Sequence, residues 1–318
     1  MREQPKKIGY LKHFSMNLSA LNLTVFAWQE AKWTAALRRV PALLAILGLS
    51  FWSGELTTGV VAAGACLSVG MLGNRQIMGS NLAAILCLSL VTALSAWAGT
   101  LVGNSAWLNP LVTAGWGLIF AFLTVHDEDS GWIAMQGVIA LVIAMAFPSH
   151  GWAALERSGA VFAGGLLQTT CLAIAGEFRT RTSNEKGPPA NQPSHLKTFR
   201  WKEFTRSFTF LSVACQYAFR VAMTLIIATE IARHLAIRNS YWLPMTLIVI
   251  LKPDFYRTYS GAIQRVLGTF IGVMVASLIT HAFHPGMGLL FVLIAVFSFG
   301  CFALVKVNSV LFSASLTG

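Results

Sequence analysis

The stretch YWLPMTLIVILKPDF runs from Tyr241 to Phe255 and joins an apolar run of about a dozen residues to an abrupt polar stop. A helix needs roughly 20 apolar residues to cross the hydrocarbon core of a bilayer, with a lower limit of about 17. Counted from Ala236 to Lys252, the segment reaches about 17 residues, and Pro253 cannot continue the helix. The stretch therefore predicts a short membrane-spanning helix that ends at a turn.

The composition of the whole chain also indicates a membrane protein. Of its 318 residues, 55% are hydrophobic and only 11% carry a charge, whereas a soluble domain usually carries about 25% charged residues. So few charged side chains cannot cover a water-facing surface, which excludes an ordinary soluble domain. We therefore predict an all-α, polytopic membrane protein.

Apolar segments of helix length recur on both sides of a polar stretch at 177–208 that contains three prolines. Six precede this stretch and four to five follow it, at 40–54, 56–72, 82–103, 110–126, 131–148, 154–176, 210–236, 240–252, 263–282, 287–305 and 307–318. A short hinge at Gly54-Glu55 predicts a tight hairpin of the first two. The pattern predicts two parallel helical bundles. The expected regions are an N-terminal membrane bundle at 1–176, a basic cytoplasmic linker at 177–208 and an incomplete C-terminal bundle at 209–318.

The basic residues orient the predicted spans. The net charge is +11, and nineteen of the 23 Lys and Arg residues share a side with the N-terminus, against three on the other side. Because Lys and Arg favour the cytoplasmic side, we predict a cytoplasmic N-terminus in a bacterial inner membrane. Basic residues beside apolar segments favour membrane lipid over nucleic acid as their partner. The segment 15–39 is expected either to lie in the cytoplasmic interface or to form a soluble tail.

A longer stretch, YWLPMTLIVILKPDFYRTYSGAIQRVLGTFIG, combines polar and glycine positions in a fixed order. It resembles the FUSC family, the fusaric acid resistance-like and aromatic acid exporter membrane proteins, as does the upstream Arg220 in YAFRVAM. The matching positions are Tyr241, Trp242, Thr246, Lys252, Pro253, Asp254, Phe255, Gln264, Arg265, Gly268, Thr269 and Gly272. The chain departs from the family in its short linker and in the Gly-Asn-Arg at 73–75, where the motif would have Lys-Pro-Asp. The resemblance implies an exporter of small organic compounds.

Charged residues of the second half are the candidates for a transport pathway, because charges at membrane depth are costly and often mark one. Arg220, Lys252 and Arg265 are expected to draw an anion. Glu230 or Asp254 is expected to carry a proton. The residues expected to line the path are Tyr241, Trp242 and Thr246, and those expected to allow close helix packing are Gly268 and Gly272.

Each charged candidate also has a purely structural interpretation. Residues 252–254 can form only a cytoplasmic turn that caps the next helix. Arg265 can snorkel to the interface or pair with Asp254. Glu230 can pair at the outer rim with a nearby arginine, Arg233 or Arg238.

The sequence predicts a transporter rather than an enzyme. It contains no Walker A loop, GxSxG or HExxH motif, which also disfavours ATP-driven transport by this chain alone. No metal or other cofactor is expected, because the acidic run at 126–129 and the pair His281 and His284 lack converging ligands.

We predict a proton-coupled secondary transporter that exports small organic compounds, aromatic and anionic ones among them. A major-facilitator-type transporter and a non-transporting membrane scaffold or assembly protein stay open as alternatives. A homo-oligomer or a periplasmic adaptor stays open as a partner.

Overall fold

The computed structural model describes residues 26–73, 75–77, 80–176, 213–235, 240–284 and 286–317. These residues form eleven α-helices and one 3-10 turn, so the all-α prediction is confirmed. The helices are α1 (Trp33–Ser53), α2 (Leu56–Met71), α3 (Asn81–Val102), α4 (Leu108–His126), α5 (Glu128–Met145), α6 (Trp152–Ile174), α7 (Val213–His234), α8 (Trp242–Ile250), α9 (Phe255–Phe283), α10 (Met287–Leu304) and α11 (Ser309–Thr317). The predicted linker at 177–208 and residues 15–25 of the predicted interfacial segment lie outside the described residues.

Seven of the helices in the described ranges are long and apolar enough to cross a membrane, namely α1, α3, α4, α5, α7, α9 and α10. Helix α6 has 23 residues but carries Glu156 and Arg157 near its start, and α2 has 16 residues. Helices α8 and α11 have nine residues each, about 14 Å of helix. The polytopic membrane class is confirmed, and α8 is shorter than the span predicted for 240–252.

The first two helices form the predicted tight hairpin. Helix α1 ends at Gly54, whose backbone has φ of +79° and ψ of 0°. A residue with a Cβ rarely adopts this left-handed conformation, so glycine is suited to the position. Helix α2 begins two residues later and packs against α1.

Helices α2, α3, α5 and α6 form the centre of the fold. Helix α3 packs against α5 and α6, and α2 packs against α6. The later helices lie around this centre in two groups: α7 packs along α4 with α8 beside it, whereas α10 packs on α1. Helices α9 and α11 pack mainly on each other. After the linker, α7, α8 and α10 therefore pack directly on helices of the first half, whereas α9 and α11 are held through α8 and α10.

Three loops that the charge pattern assigns to the cytoplasm meet at one end of the fold. Arg75, between α2 and α3, donates a hydrogen bond of 2.8 Å to the Asp129 carboxylate at the start of α5. The backbone amide of Gln76 donates to the other oxygen of that carboxylate at 3.1 Å. Lys252, which follows α8, lies within electrostatic range of Glu128. This arrangement supports the expectation that the three loops share one side of the membrane.

At the opposite end of the fold, Arg157 of α6 connects α3 with the loop after α5. Its guanidinium donates to the hydroxyl of Thr100 at 3.2 Å and to the carbonyl oxygen of Phe147. The amide of Ser149 donates to the Thr100 carbonyl oxygen at 3.0 Å. The ring of Phe147 lies 6.3 Å from the ring of Tyr241. The start of α8 is therefore at this end, opposite the polar turn that follows it.

Candidate functional site

Local hydrogen bonds build the polar turn between α8 and α9. Leu251 has an extended backbone, with φ of −62° and ψ of 118°, and so ends α8 two residues before the proline. Asp254 caps α9, because its carboxylate accepts from the Tyr256 amide at 3.2 Å. The amide of Lys252 donates to the Thr258 hydroxyl at 3.0 Å. The turn is thus a well-formed structural element in its own right.

Two side chains of α7 hold this turn against the rest of the protein. The Tyr217 hydroxyl donates to the Leu251 carbonyl oxygen at 3.1 Å. The Arg220 guanidinium donates to the Lys252 carbonyl oxygen at 2.6 Å and lies 5.4 Å from the centre of the Tyr217 ring. Tyr217 and Arg220 are three residues apart and so lie on one face of the helix. Arg220 therefore has a structural role at the turn, beside the anion-attracting role predicted for it.

Replacing Tyr217 with phenylalanine is expected to loosen the turn. The ring under Arg220 remains, but the buried Leu251 carbonyl oxygen loses its donor, which costs about 1–2 kcal/mol. Hydrogen–deuterium exchange of the amides at 251–258 should then become faster, and the thermal midpoint should fall. Unchanged exchange in this segment, with a normal midpoint, would show that the hydroxyl does not hold the turn.

Lys252 places a cation where both halves of the chain meet. Its side chain is half-buried, and this burial lowers the pKa of Lys252 below its usual range. The carboxylate of Glu128 acts to raise that pKa, and the guanidinium of Arg75 acts to lower it. The end of the fold that holds the polar turn therefore combines Arg220, Lys252 and Asp254 with Glu128 and Arg75 of the first half, which the sequence did not connect to them.

Arg265 is the most unusual charged residue of the second half. It is only 4% exposed, and its Nε, Nη1 and Nη2 atoms have no hydrogen-bond partner in the described part of the chain. The expected pairing of Arg265 with Asp254 is wrong. Helix α9 begins at Phe255, eight residues before the predicted start of this span. Arg265 therefore lies about 15 Å along the helix from its start, too deep to reach the cap.

Close packing of α9 on α11 surrounds the residues next to Arg265. A Cβ atom at Gly268 would lie 2.5 Å from the Ser313 Cβ and 2.5 Å from the Val310 carbonyl oxygen. A Cβ at Gly272 would meet the Ala314 carbonyl oxygen at a similarly short distance. Only a residue without a side chain leaves room for such an approach. The geometry supports the packing role expected for both glycines.

Glu230 lies near the end of α7 that is remote from the turn. Its carboxylate accepts from the Arg233 guanidinium at 2.5 Å, and the His234 ring nitrogen lies 3.5 Å away. The expectation of a pair with a nearby arginine is met by Arg233. The carboxylate is therefore separated along the fold from Arg220, Lys252 and Arg265.

The three residues expected to line a path are spread along α8. The rings of Tyr241 and Trp242 stack with their centres 5.9 Å apart and an interplanar angle of 27°. Thr246 is half-buried one turn further along. Helix α8 packs on α7 and α5, whereas α9, which carries Arg265, packs mainly on α11. The structure thus does not bring these residues and Arg265 to a single cluster.

A cavity of about 280 Å³ lies between α2, α9, α10 and α11. It is lined mainly by apolar side chains, with the sulfur of Cys301 and the hydroxyls of Thr280, Ser298 and Ser315 among them. Cys301 is 2% exposed. Arg265 is not among the residues that line the cavity.

Residues 225–318 match the family model of fusaric acid resistance protein-like proteins. The predicted resemblance is confirmed over this segment. It contains every candidate residue except Arg220, which lies five residues before it. It also contains the buried Arg265 and most of the residues that line the cavity.

Uncharacterised proteins of three bacteria are similar to parts of the chain. A protein of Synechocystis sp. is 35% identical over 78 residues, which make up 24% of this chain and 10% of the relative. A protein of Neisseria gonorrhoeae is 28% identical over 87 residues, 27% of this chain and 21% of the relative. A protein of Haemophilus influenzae is 28% identical over 74 residues, 23% of this chain and 10% of the relative. The matches thus span about a fifth or less of these relatives' length, and no solved structure matches.

Some residues that shape the site were missed in the sequence. Tyr217 gave a usable signal, since it precedes Arg220 by three residues on a helical face. Cys301 gave none, because a single cysteine in an apolar run is usually an inert core residue.

Two buried glutamines connect helices of the first half. Gln136 accepts from the Ser68 hydroxyl at 2.8 Å, and Gln168 accepts from the Cys66 thiol at 2.9 Å. These bonds join neighbouring helices, as polar side chains within membrane bundles commonly do.

Proposed function

We propose that the protein exports small organic anions, aromatic acids among them, across a bacterial inner membrane as a secondary transporter driven by the proton gradient. The observation that carries the proposal is the buried guanidinium of Arg265, which lacks a hydrogen-bond partner within the described residues. An unpaired charge in apolar surroundings is costly, and at membrane depth it commonly marks a transport pathway. An anionic substrate would supply the missing partner during its passage.

The family match supports a transporter over a soluble or purely structural role. The matched segment is the one that carries Arg265 and the cavity. Its relatives by family model are described as fusaric acid resistance protein-like, which names an organic acid. We extend that description to this chain and define its substrates by their negative charge rather than by one compound.

The inner end of the fold supplies the cations at which an anion would arrive from the cytoplasm. Arg220 and Lys252 lie there, with Arg75 beside them. Clustered positive charge raises the local concentration of anions and speeds their capture. In the proposal these residues attract the substrate, and Arg265 holds it inside the membrane.

Glu230 and Asp254 are the two carboxylates among the described residues after 212, so the proposal assigns proton coupling to one of them. Glu230 is the stronger candidate, because the Asp254 carboxylate is committed to the cap of α9. Opening the pair of Glu230 with Arg233 would expose the carboxylate to a proton from the outer side.

The experiment is accumulation of radiolabelled benzoate in inside-out membrane vesicles that contain the full chain. Accumulation is expected without ATP, and a protonophore should abolish it. Arg265→Gln should lower the initial rate by at least about tenfold, which corresponds to loss of one charge-assisted contact. Glu230→Gln should remove the response to the proton gradient. Val296→Leu is the matched control, because Val296 is 60% exposed on a face of α10 away from the cavity.

A membrane scaffold would give a different result. Vesicles with the wild-type chain would then accumulate no more benzoate than empty vesicles, and the same would hold for a panel of other organic acids. Transport at the wild-type rate by well-folded Arg265→Gln would overturn the assigned role of the guanidinium.

A further inference from the structure

The segment before α1 lies across the turn between α10 and α11. The backbone amide of Ala27 donates to the Val307 carbonyl oxygen at 3.1 Å, and that of Lys32 donates to the Ala303 carbonyl oxygen at 3.3 Å. The last four carbonyl oxygens of a helix have no partner within the helix, so the first half of the chain supplies a donor to the end of α10. Residues 26–33 and 303–307 thus form one continuous surface, here called the N-terminal surface.

Aromatic side chains of the N-terminal surface are exposed. Phe26 and Trp28 stack with their ring centres 5.9 Å apart, yet they are 44% and 55% exposed. Trp33 is 48% exposed, although its ring lies 5.9 Å from that of Phe299 on α10. Exposed tryptophan rings are typical of the interface between a membrane and water, where an apolar body and a polar N–H are both accommodated. The aromatic residues therefore place the N-terminal surface at the depth of the lipid head groups.

Basic side chains accompany these rings at the end of the fold that the charge pattern assigns to the cytoplasm. Lys306 and Arg38 are exposed, and Lys32 is half-buried. Glu30 is also exposed and is the one acidic residue in the sequence at 26–40 and 303–309. Each Lys or Arg close to a membrane strengthens its attraction to anionic lipid. The N-terminal surface thus has the charge and the aromatic residues that suit an anionic head group.

We propose that the N-terminal surface binds an anionic phospholipid of the cytoplasmic leaflet. The basic side chains attract its phosphate, and the rings of Phe26 and Trp28 contact the region between the head group and the acyl chains. Because the amides of Ala27 and Lys32 also hold the end of α10, the bound lipid stabilises the packing of the second half on the first. This inference does not depend on transport, since a membrane scaffold with the same surface would bind the same lipid.

The test is a titration of the full-length protein in neutral detergent, with bound lipids counted by native mass spectrometry. The two probes are dioleoyl phosphatidylglycerol and dioleoyl phosphatidylcholine, which share their acyl chains and differ in net charge. The first phosphatidylglycerol is expected to bind at least about tenfold more tightly than the first phosphatidylcholine. Phosphatidylglycerol alone should slow hydrogen–deuterium exchange of the amides at 26–33 and 303–309, because it keeps the hydrogen bonds between these segments closed.

Variants of the surface have expected effects of opposite sign. Lys306→Gln should weaken phosphatidylglycerol binding about fivefold and leave phosphatidylcholine unchanged. Glu30→Gln removes a repulsive charge and should strengthen phosphatidylglycerol binding. Trp28→Ala should weaken both lipids, since it removes an aromatic contact. Trp107→Ala is the matched control, because Trp107 is 87% exposed in a part of the sequence, 76–156, that has no Lys or Arg.

Three results would overturn the inference. One is equal affinity for the two lipids. Another is a preference for phosphatidylglycerol that survives joint replacement of Lys32, Arg38 and Lys306 by glutamine in a folded protein. The third is protection from exchange at another basic segment, such as 251–258, with none at 26–33 and 303–309. Benzoate accumulation in vesicles is a separate measurement, so failure of the lipid site would leave the proposed transport standing.

Discussion

Arg265→Met is expected to make the ligand-free protein more stable while it removes anion binding. The substitution replaces a buried guanidinium that has no hydrogen-bond partner in the described residues with an apolar side chain of similar length. A charged residue near the centre of a membrane helix costs about 3 kcal/mol, and most of that cost should be recovered. The measurement is the thermal unfolding midpoint of the purified protein in detergent, with and without benzoate.

Arg220→Met is the matched control, because the same change is made at an arginine that has partners. Arg220 donates to the carbonyl oxygens of Lys252 and Pro253, at 2.6 and 3.4 Å. Loss of the shorter, charge-assisted bond should cost about 1.5–3 kcal/mol, so the midpoint should fall. The two variants therefore have opposite expected signs. A fall of equal size in both would mean that Arg265 is also held by a stabilising partner, and the pathway assignment would lose its basis.

Gly268→Ala is expected to separate α9 from α11. A methyl group at this position would lie 2.5 Å from the backbone oxygen of Val310 and 2.5 Å from the Ser313 Cβ. Because a backbone atom cannot move aside as a flexible side chain can, the whole of α11 must shift. Overpacking of this kind costs about 1–3 kcal/mol. The thermal midpoint should therefore fall.

Gly261→Ala gives the comparison on the same helix. A Cβ at Gly261 would meet no other atom within 4 Å, so only helix propensity changes. Alanine is favoured over glycine inside a helix by about 1 kcal/mol, and the midpoint should rise slightly. If both glycine variants behaved alike, the close approach of α9 and α11 would not be a feature of the protein in its membrane.

Local composition was enough to predict the helical membrane class. Runs of apolar residues recur at helix length, and few charges remain for a surface in water. Such runs have no stable arrangement in a bilayer other than a helix with internally satisfied backbone groups. The turn after α8 could also be predicted, because Pro253 cannot continue a helix and Asp254 is a good N-cap for the next one. The ordered polar and glycine positions of a single stretch were likewise enough to find the family resemblance.

The start of α9 was harder to predict. The apolar count placed it near residue 263, since six of the eight residues before that position are polar or aromatic. The cap at Asp254 instead begins the helix at Phe255. Charged and aromatic residues are compatible with a helix that extends beyond the hydrocarbon core, so hydropathy underestimates its length. Because of this difference, Arg265 lies about 15 Å along the helix rather than at its start.

The sequence by itself determined which segments are helices, where several of them end and which residues carry charge. Only the tertiary structure decided which of these charges have partners. Arg220 donates to the carbonyl oxygens of Lys252 and Pro253 in the turn after α8. Arg265 is instead buried, and its guanidinium nitrogens have no hydrogen-bond partner among the described residues. The distinction depends on residues 30 to 50 positions away in the chain, which no local pattern can place. Two arginines that look alike in the sequence therefore have different roles, one in holding a turn and the other in the proposed binding of an anion.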